Sequence, residues 1–184
     1  MIENGYGYFT EDGLEYVMTR PDTPLPWVNQ ISNDEYCMLI SQTGGGYSFV
    51  GGSGYDRILR AIPGEQVLVD RPGRYLYLRD EESGDYWSLG WQPVCREMQE
   101  WEGRHGLGYT RIRSRYADIE GEALFFVPLD ANLELWGFRL TNRGGRPRRL
   151  RSFAFAEFVL GSYQMDLLER SFHALFNEVT CWDG

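Results

Sequence analysis

An all-β fold, an antiparallel sandwich or barrel with at most one or two short helices, is predicted by three observations on this chain of 184 residues. Short segments rich in aromatic and β-branched side chains recur about every ten residues. Turn residues stand between them, with Gly or Asn where a positive φ costs little: Glu11-Asp12-Gly13, Arg71-Pro72-Gly73, Glu82-Ser83-Gly84 and Asn142-Arg143-Gly144-Gly145. Helical spacing of apolar residues is scarce.

In chain order, strands are expected at residues 6–9, 15–19, 35–41, 46–50, 66–69, 74–79 and 85–88, then at 94–102, 109–116, 119–127, 133–141 and 148–160. The stretch Arg20-Pro21-Asp22-Thr23-Pro24-Leu25-Pro26-Trp27 holds three prolines in six residues, which predicts a stiff extended connection along the surface. Residues 163–170 place Met165 and Leu168 at helical spacing, enough for one or two turns. No repeat, low-complexity tract or linker divides the chain, so residues 1–184 read as one domain. Residues 176–184 stay apolar and strand-like, which predicts a domain interrupted at its C-terminal end.

Composition excludes whole classes of chemistry. All 18 basic residues are Arg, so Schiff bases, pyridoxal phosphate anchoring and the phosphate-loop lysine are ruled out. The net charge of −9 argues against nucleic acid or an anionic membrane surface as partner. No segment reaches the ~18 apolar residues of a membrane-spanning helix. Cys37, Cys95 and Cys181 are widely spaced and form no C-x-x-C pair. No metal site or disulfide framework is therefore expected, and reduced thiols point to the cytoplasm.

Acid–base chemistry on sugars needs two carboxyl groups about 5 to 9 Å apart. Glu100 with Glu102 and Glu120 with Glu122 are i,i+2 pairs sharing a strand face, while Arg111, Arg113 and Arg115 alternate on the following strand. A cross-strand charge ladder is the simpler reading. The run Thr43-Gly44-Gly45-Gly46 through Gly51-Gly52-Ser53-Gly54 either brings amides to a phosphate or sugar or forms a wide hairpin. His105 is expected in a turn, where it binds a ligand hydroxyl or faces water, and His173 is expected to pack. Trp27, Trp87, Trp91 and Trp101 suit either stacking on sugar rings or core packing. Arg143, Arg146, Arg148, Arg149 and Arg151 read as a solvated turn or a docking patch for an acidic neighbour.

Several blocks then resemble a known family. Tyr8-Phe9, Glu15-Tyr16-Val17 and Arg20-Pro21-Asp22-Thr23-Pro24-x-Pro26-Trp27-x-Asn29 are similar to the opening of the cellobiose and chitobiose phosphorylases, glycoside hydrolase family 94. The likeness continues through Ile40-Ser41-Gln42-Thr43-Gly44-Gly45-Gly46-Tyr47-Ser48-Phe49, Arg57-Ile58-x-Arg60 and Asp70-Arg71-Pro72-Gly73-Arg74. It runs on through Tyr86-Trp87-Ser88, Arg104-His105-Gly106-Leu107-Gly108-Tyr109-Thr110, Phe126-Val127-Pro128-Leu129 and Arg151-Ser152-Phe153-Ala154-Phe155-Ala156-Glu157-Phe158.

The resemblance implies the N-terminal domain of an inverting disaccharide phosphorylase, a large galactose-mutarotase-like supersandwich. Its general acid would lie in an (α/α)₆ barrel outside this chain, leaving no catalytic residue here. Inorganic phosphate would be the co-substrate, with no cofactor. The implied partners are a disaccharide or oligosaccharide, the barrel of the same protein and a second copy in a homodimer. Implied substrate-binding residues are Arg20, Trp27, Tyr47, Arg57, Arg60, Arg104 and His105, or these same residues hold loops and the barrel interface. Residues 61–69 depart from the family pattern, which leaves the acceptor open among cellobiose, chitobiose, laminaribiose and a sugar acid. Two other classes compete: a stand-alone carbohydrate-binding module, and a small glycosidase using Glu100/Glu102 or Asp166/Glu169.

Overall fold

A computed structural model describes residues 3–60 and 72–169, together with Leu175, Asn177, Glu178 and Thr180. The strands expected at 6–9, 15–19, 35–41, 46–50, 74–79, 85–88, 109–116, 119–127 and 133–141 are present, with ends shifted by a few residues. In chain order they are β1 (Glu3–Asn4), β2 (Gly7–Phe9), β3 (Glu15–Met18), β4 (Val28–Ser32), β5 (Tyr36–Ser41), β6 (Ser48–Val50), β7 (Arg57–Leu59) and β8 (Tyr75–Asp80). There follow β9 (Tyr86–Ser88), β10 (Glu100–Gly106), β11 (Tyr109–Tyr116), β12 (Ile119–Phe126), β13 (Leu135–Asn142), β14 (Leu150–Phe155), β15 (Phe158–Gly161) and a helix α1 (Tyr163–Leu168). The strand expected at 66–69 and the segment around His173 lie outside the described residues.

The strands form three antiparallel sheets, ordered β1-β2-β3-β10-β11-β12-β13, β14-β8-β9 and β15-β7-β6-β5-β4. Alternation fixes which face of the long sheet turns inward. On β11 and β12, Thr110, Ile112, Ser114, Ile119, Ala123 and Phe125 are buried, while Arg113 and Leu124 stand outside. Their inner faces meet Ile31, Met38 and Ile40 of the five-stranded sheet and Leu78 and Trp87 of the small one in a continuous core. Each apolar side chain so buried contributes about 1.5–3 kcal/mol.

Four expectations are corrected. Residues 94–102 are not one strand: Trp91 and Cys95 adopt positive φ (90° and 58°) in a turn-rich loop, and pairing begins only at Glu100. Residues 148–160 split into β14 and β15 in different sheets, because at the break the Glu157 carbonyl accepts the Arg60 amide at 2.8 Å. β4 was not anticipated. Its Asn29 and Gln30 mask the strand pattern, and its register with β5 supplies the order instead. His105 lies within β10 and not in a turn, since the hairpin narrows to Leu107 and Gly108.

Helix α1 forms within the expected span, capped by the Ser162 hydroxyl, which accepts the Met165 amide at 3.1 Å. Its exposure is inverted relative to the sequence pattern: Met165 and Leu168 face out while Asp166 is buried. The proline-rich connection runs over the surface as expected, with Pro24 and Leu25 exposed.

Candidate functional site

The seven residues singled out in the sequence fall into four places. Alternation separates two that are adjacent in the chain, since neighbouring strand residues point to opposite faces. His105 turns inward from β10. Its Nε2 stands 2.9 Å from the Trp27 carbonyl, which can only accept, so Nε2 carries the hydrogen. Nδ1 then accepts the Thr110 hydroxyl at 2.9 Å. Asn29 completes the network, donating to the carbonyls of Gly106 (2.8 Å) and Tyr109 (3.0 Å). Burial of this neutral imidazole pushes its pKa down to about 4.

Trp27 itself is held at both ends. Its amide donates to the Gln42 side chain at 2.9 Å, and its indole meets Tyr6 and Tyr16 edge-on at 5.7 and 5.4 Å. Gln42, which sequence reasoning passed over, also donates to the Pro21 carbonyl (3.0 Å) and the Thr23 hydroxyl (2.7 Å). One buried amide side chain thus clamps the proline-rich connection to the Gly-rich turn. Its position directly before Thr43-Gly44-Gly45-Gly46 was the available signal.

Arg104 projects from the opposite face of β10 and bridges Glu102 (2.6 Å) and Glu15 (2.7 Å). The Tyr109 hydroxyl donates to Glu15, and together with Arg104 it holds that carboxyl below its ordinary range. The expected charge ladder is present: Glu100 stands opposite Arg115 and binds it at 2.8 Å. Glu102 stands opposite Arg113, but Arg113 reaches Glu120 instead at 2.8 Å. Arg143 joins it at 3.1 Å, and the two guanidinium groups hold Glu120 at about 2. Among the described residues, each carboxyl group with a displaced pKa is displaced downward, toward a permanent anion. That is opposite to the upward shift a general acid needs.

Tyr47, Arg57 and Arg60 form a second group around α1. The Arg57 guanidinium is sandwiched between the rings of Tyr47 (4.3 Å) and Tyr163 (4.4 Å), and its Nε donates to the Ser53 carbonyl at 2.7 Å. Arg60 binds Glu157 and Asp166, each at 2.6 Å. Asp166 is consequently engaged in a buried ion pair with Arg60.

The Gly-rich run is a turn whose amides are already engaged. Ser41 Oγ accepts from Thr43 (3.2 Å) and Gly45 (3.0 Å), the Gly44 amide reaches the Ser41 carbonyl, and the Gly46 amide reaches Pro72. It therefore does not present these amides to a phosphate. Four of the five arginines near residue 146 are paired within the chain: Arg143 with Glu120, Arg146 with Glu82, Arg148 with Asp80 and Arg151 with Glu81, while Arg149 is exposed.

Arg20 stands apart from both groups. Its Nε and Nη2 grip Asp22 at 2.6 and 2.5 Å while its guanidinium lies 5.1 Å from the Tyr6 ring centre. The side chain remains half exposed beside a groove of about 390 Å³ that also touches Trp91 and Trp101. Trp87, by contrast, is buried in the core and cannot meet a ligand.

A model of the glycosyl hydrolase 94 supersandwich domain matches residues 14–183. The chain is 41% identical over 163 residues to an N,N'-diacetylchitobiose phosphorylase of Vibrio proteolyticus, and equally so to one of Vibrio furnissii. These matches cover 88% of this chain and 20% of each relative. A solabiose phosphorylase of Paenibacillus borealis is 37% identical over 159 residues, which is 86% of this chain and 21% of that protein. The chain thus spans about a fifth of the length of these curated relatives.

Proposed function

The chain belongs to the glycosyl hydrolase 94 supersandwich family, and from that premise we propose that it is the non-catalytic sandwich of a phosphorylase acting on a β-linked disaccharide. One observation carries this reading: two relatives named as N,N'-diacetylchitobiose phosphorylases share 41% of residues with nearly the whole chain, while four-fifths of their length lies elsewhere. In the proposed reaction an oxygen of inorganic phosphate attacks the anomeric carbon as the glycosidic C–O bond breaks. The departing sugar oxygen takes its proton from one carboxyl group on the remaining polypeptide. The products are a sugar 1-phosphate and a free sugar. No second protein carboxyl is needed, because phosphate replaces the activated water.

The geometry supports a positioning role for this part. Trp27, Tyr47, Arg57, Arg60, Arg104 and His105 are committed to internal bonds or ring contacts that hold loops in place. Arg20 borders an open groove with its Nη1 hydrogens outside its carboxylate pair. Strands β13, β14 and β15 each end a sheet, and Leu135, Phe153, Phe155, Phe158 and Leu160 on them are 39–54% exposed. We assign these exposed apolar residues to contact with the rest of the polypeptide. A cytoplasmic homodimer is part of the same proposal.

The test is phosphorolysis of N,N'-diacetylchitobiose and cellobiose by this chain joined to the polypeptide that covers the relatives' remaining length. Stoichiometric sugar 1-phosphate is the expected product. Release of free sugars without phosphate uptake would contradict the reading.

A further inference from the structure

Trp91 is a bulky residue held at φ 90°, a backbone region that L side chains rarely occupy. The strain is maintained by its surroundings: its amide donates to the Ser88 carbonyl at 3.2 Å, and its own carbonyl accepts the Cys95 amide at 2.8 Å. Glycine would adopt this conformation without cost, so retaining an indole here calls for something that the indole does. The indole is not spent in the core. It is partly exposed and lines two adjoining concavities, of about 390 and 180 Å³, which share Pro21, Asp22 and Trp91.

The larger concavity is lined by Trp91 and Trp101 together with the Arg20–Asp22 pair. Trp101 is fixed there, its indole N–H donating to the Gly90 carbonyl at 3.3 Å. The Arg20–Asp22 pair is a planar, bidentate unit with donors and acceptors side by side. Indole side chains beside such a unit suit a ring that has C–H faces and adjacent hydroxyl groups. The charge selects further: the Asp22–Arg20 and Glu100–Arg115 pairs are each compensated, and Glu97 adds a negative charge at the groove, which disfavours an anionic ligand.

We propose that this groove binds a neutral saccharide ring, with Trp91 as the stacking face and Arg20 and Asp22 as partners for its hydroxyl groups. The choice of ligand class rests on the family reading above; the location rests on the strained indole and the groove. The second concavity, along the proline-rich connection, receives the neighbouring ring of a disaccharide.

The experiment is a titration of this chain with N,N'-diacetylchitobiose, cellobiose and glucose 1-phosphate, followed through the indole N–H resonances. The expected result is a saturable shift of the Trp91 and Trp101 signals with a neutral disaccharide, while the signal of buried Trp87 stays fixed. Trp91→Gly should weaken binding at least tenfold and melt no lower than the parent, because the strain is relieved. If that variant fails to fold, Asp22→Asn serves in its place and should also weaken binding about tenfold. Absence of a saturable shift with either disaccharide overturns the proposal, as does unchanged affinity in the folded variant or tighter binding of glucose 1-phosphate. None of these failures touches the family reading, which phosphorolysis by the longer polypeptide decides separately.

Discussion

His105 and Trp27 are 78 residues apart in the chain, and a 2.9 Å hydrogen bond from the imidazole to the Trp27 carbonyl ties the end of the proline-rich connection to β10. Since burial holds this histidine neutral down to about pH 4, its titration feeds directly into stability. The unfolded chain takes up the proton near pH 6.5 and the folded one does not, so stability present above 6.5 is lost as pH falls toward 4. Between pH 7 and pH 5 the loss should be about 2 kcal/mol. Urea unfolding at the two pH values checks it. His105→Gln should be less stable than the parent at pH 7 but nearly flat over that interval, and an equally steep decline in the variant would refute the assignment.

Arg60 and Asp166 form a buried pair with Glu157 as a second anion. Removing the cation leaves the buried Asp166 carboxyl group without its ion-pair partner, so Arg60→Leu should cost about 3–5 kcal/mol. The double change Arg60→Leu with Asp166→Leu should cost clearly less than the sum of the single changes. Denaturant midpoints of the three variants decide this; strict additivity would show that the pair does not couple.

Gly46 and Gly13 both have positive φ, 119° and 70°, but only Gly46 has a carbonyl in the way: an added Cβ would stand 2.2 Å from Leu39 O. Gly13→Ala should cost about 1–2 kcal/mol, the backbone penalty alone. Gly46→Ala should cost more, about 3–4 kcal/mol, and displace β5. Thermal melts compare the two, and equal losses would mean that the Gly-rich turn is not packed as described.

Much of this molecule could be read from its residues because its hairpins carry their own signals. The β10–β11 ladder followed from charges alternating on both sides of a glycine-bounded turn, and its register places Glu100 opposite Arg115. Where order comes from distant partners, the sequence was silent. β4 reads as polar until β5 supplies its hydrogen bonds, and nothing near Asp166 announces that its partner is Arg60, 106 positions away. Site residues suffered most. Arg104 and His105 are neighbours in the chain yet face opposite sides of a strand, so a motif that holds both does not place both at one ligand. The helix was recognised from Met165 and Leu168, but its exposure depends on a buried ion pair and not on those apolar residues.

The most direct test of the central claim is the turnover of inorganic phosphate by this chain alone, with N,N'-diacetylchitobiose and cellobiose as substrates. This sandwich should consume no phosphate and release no sugar 1-phosphate, while remaining folded. Sustained formation of sugar 1-phosphate by the purified chain of 184 residues would contradict the account.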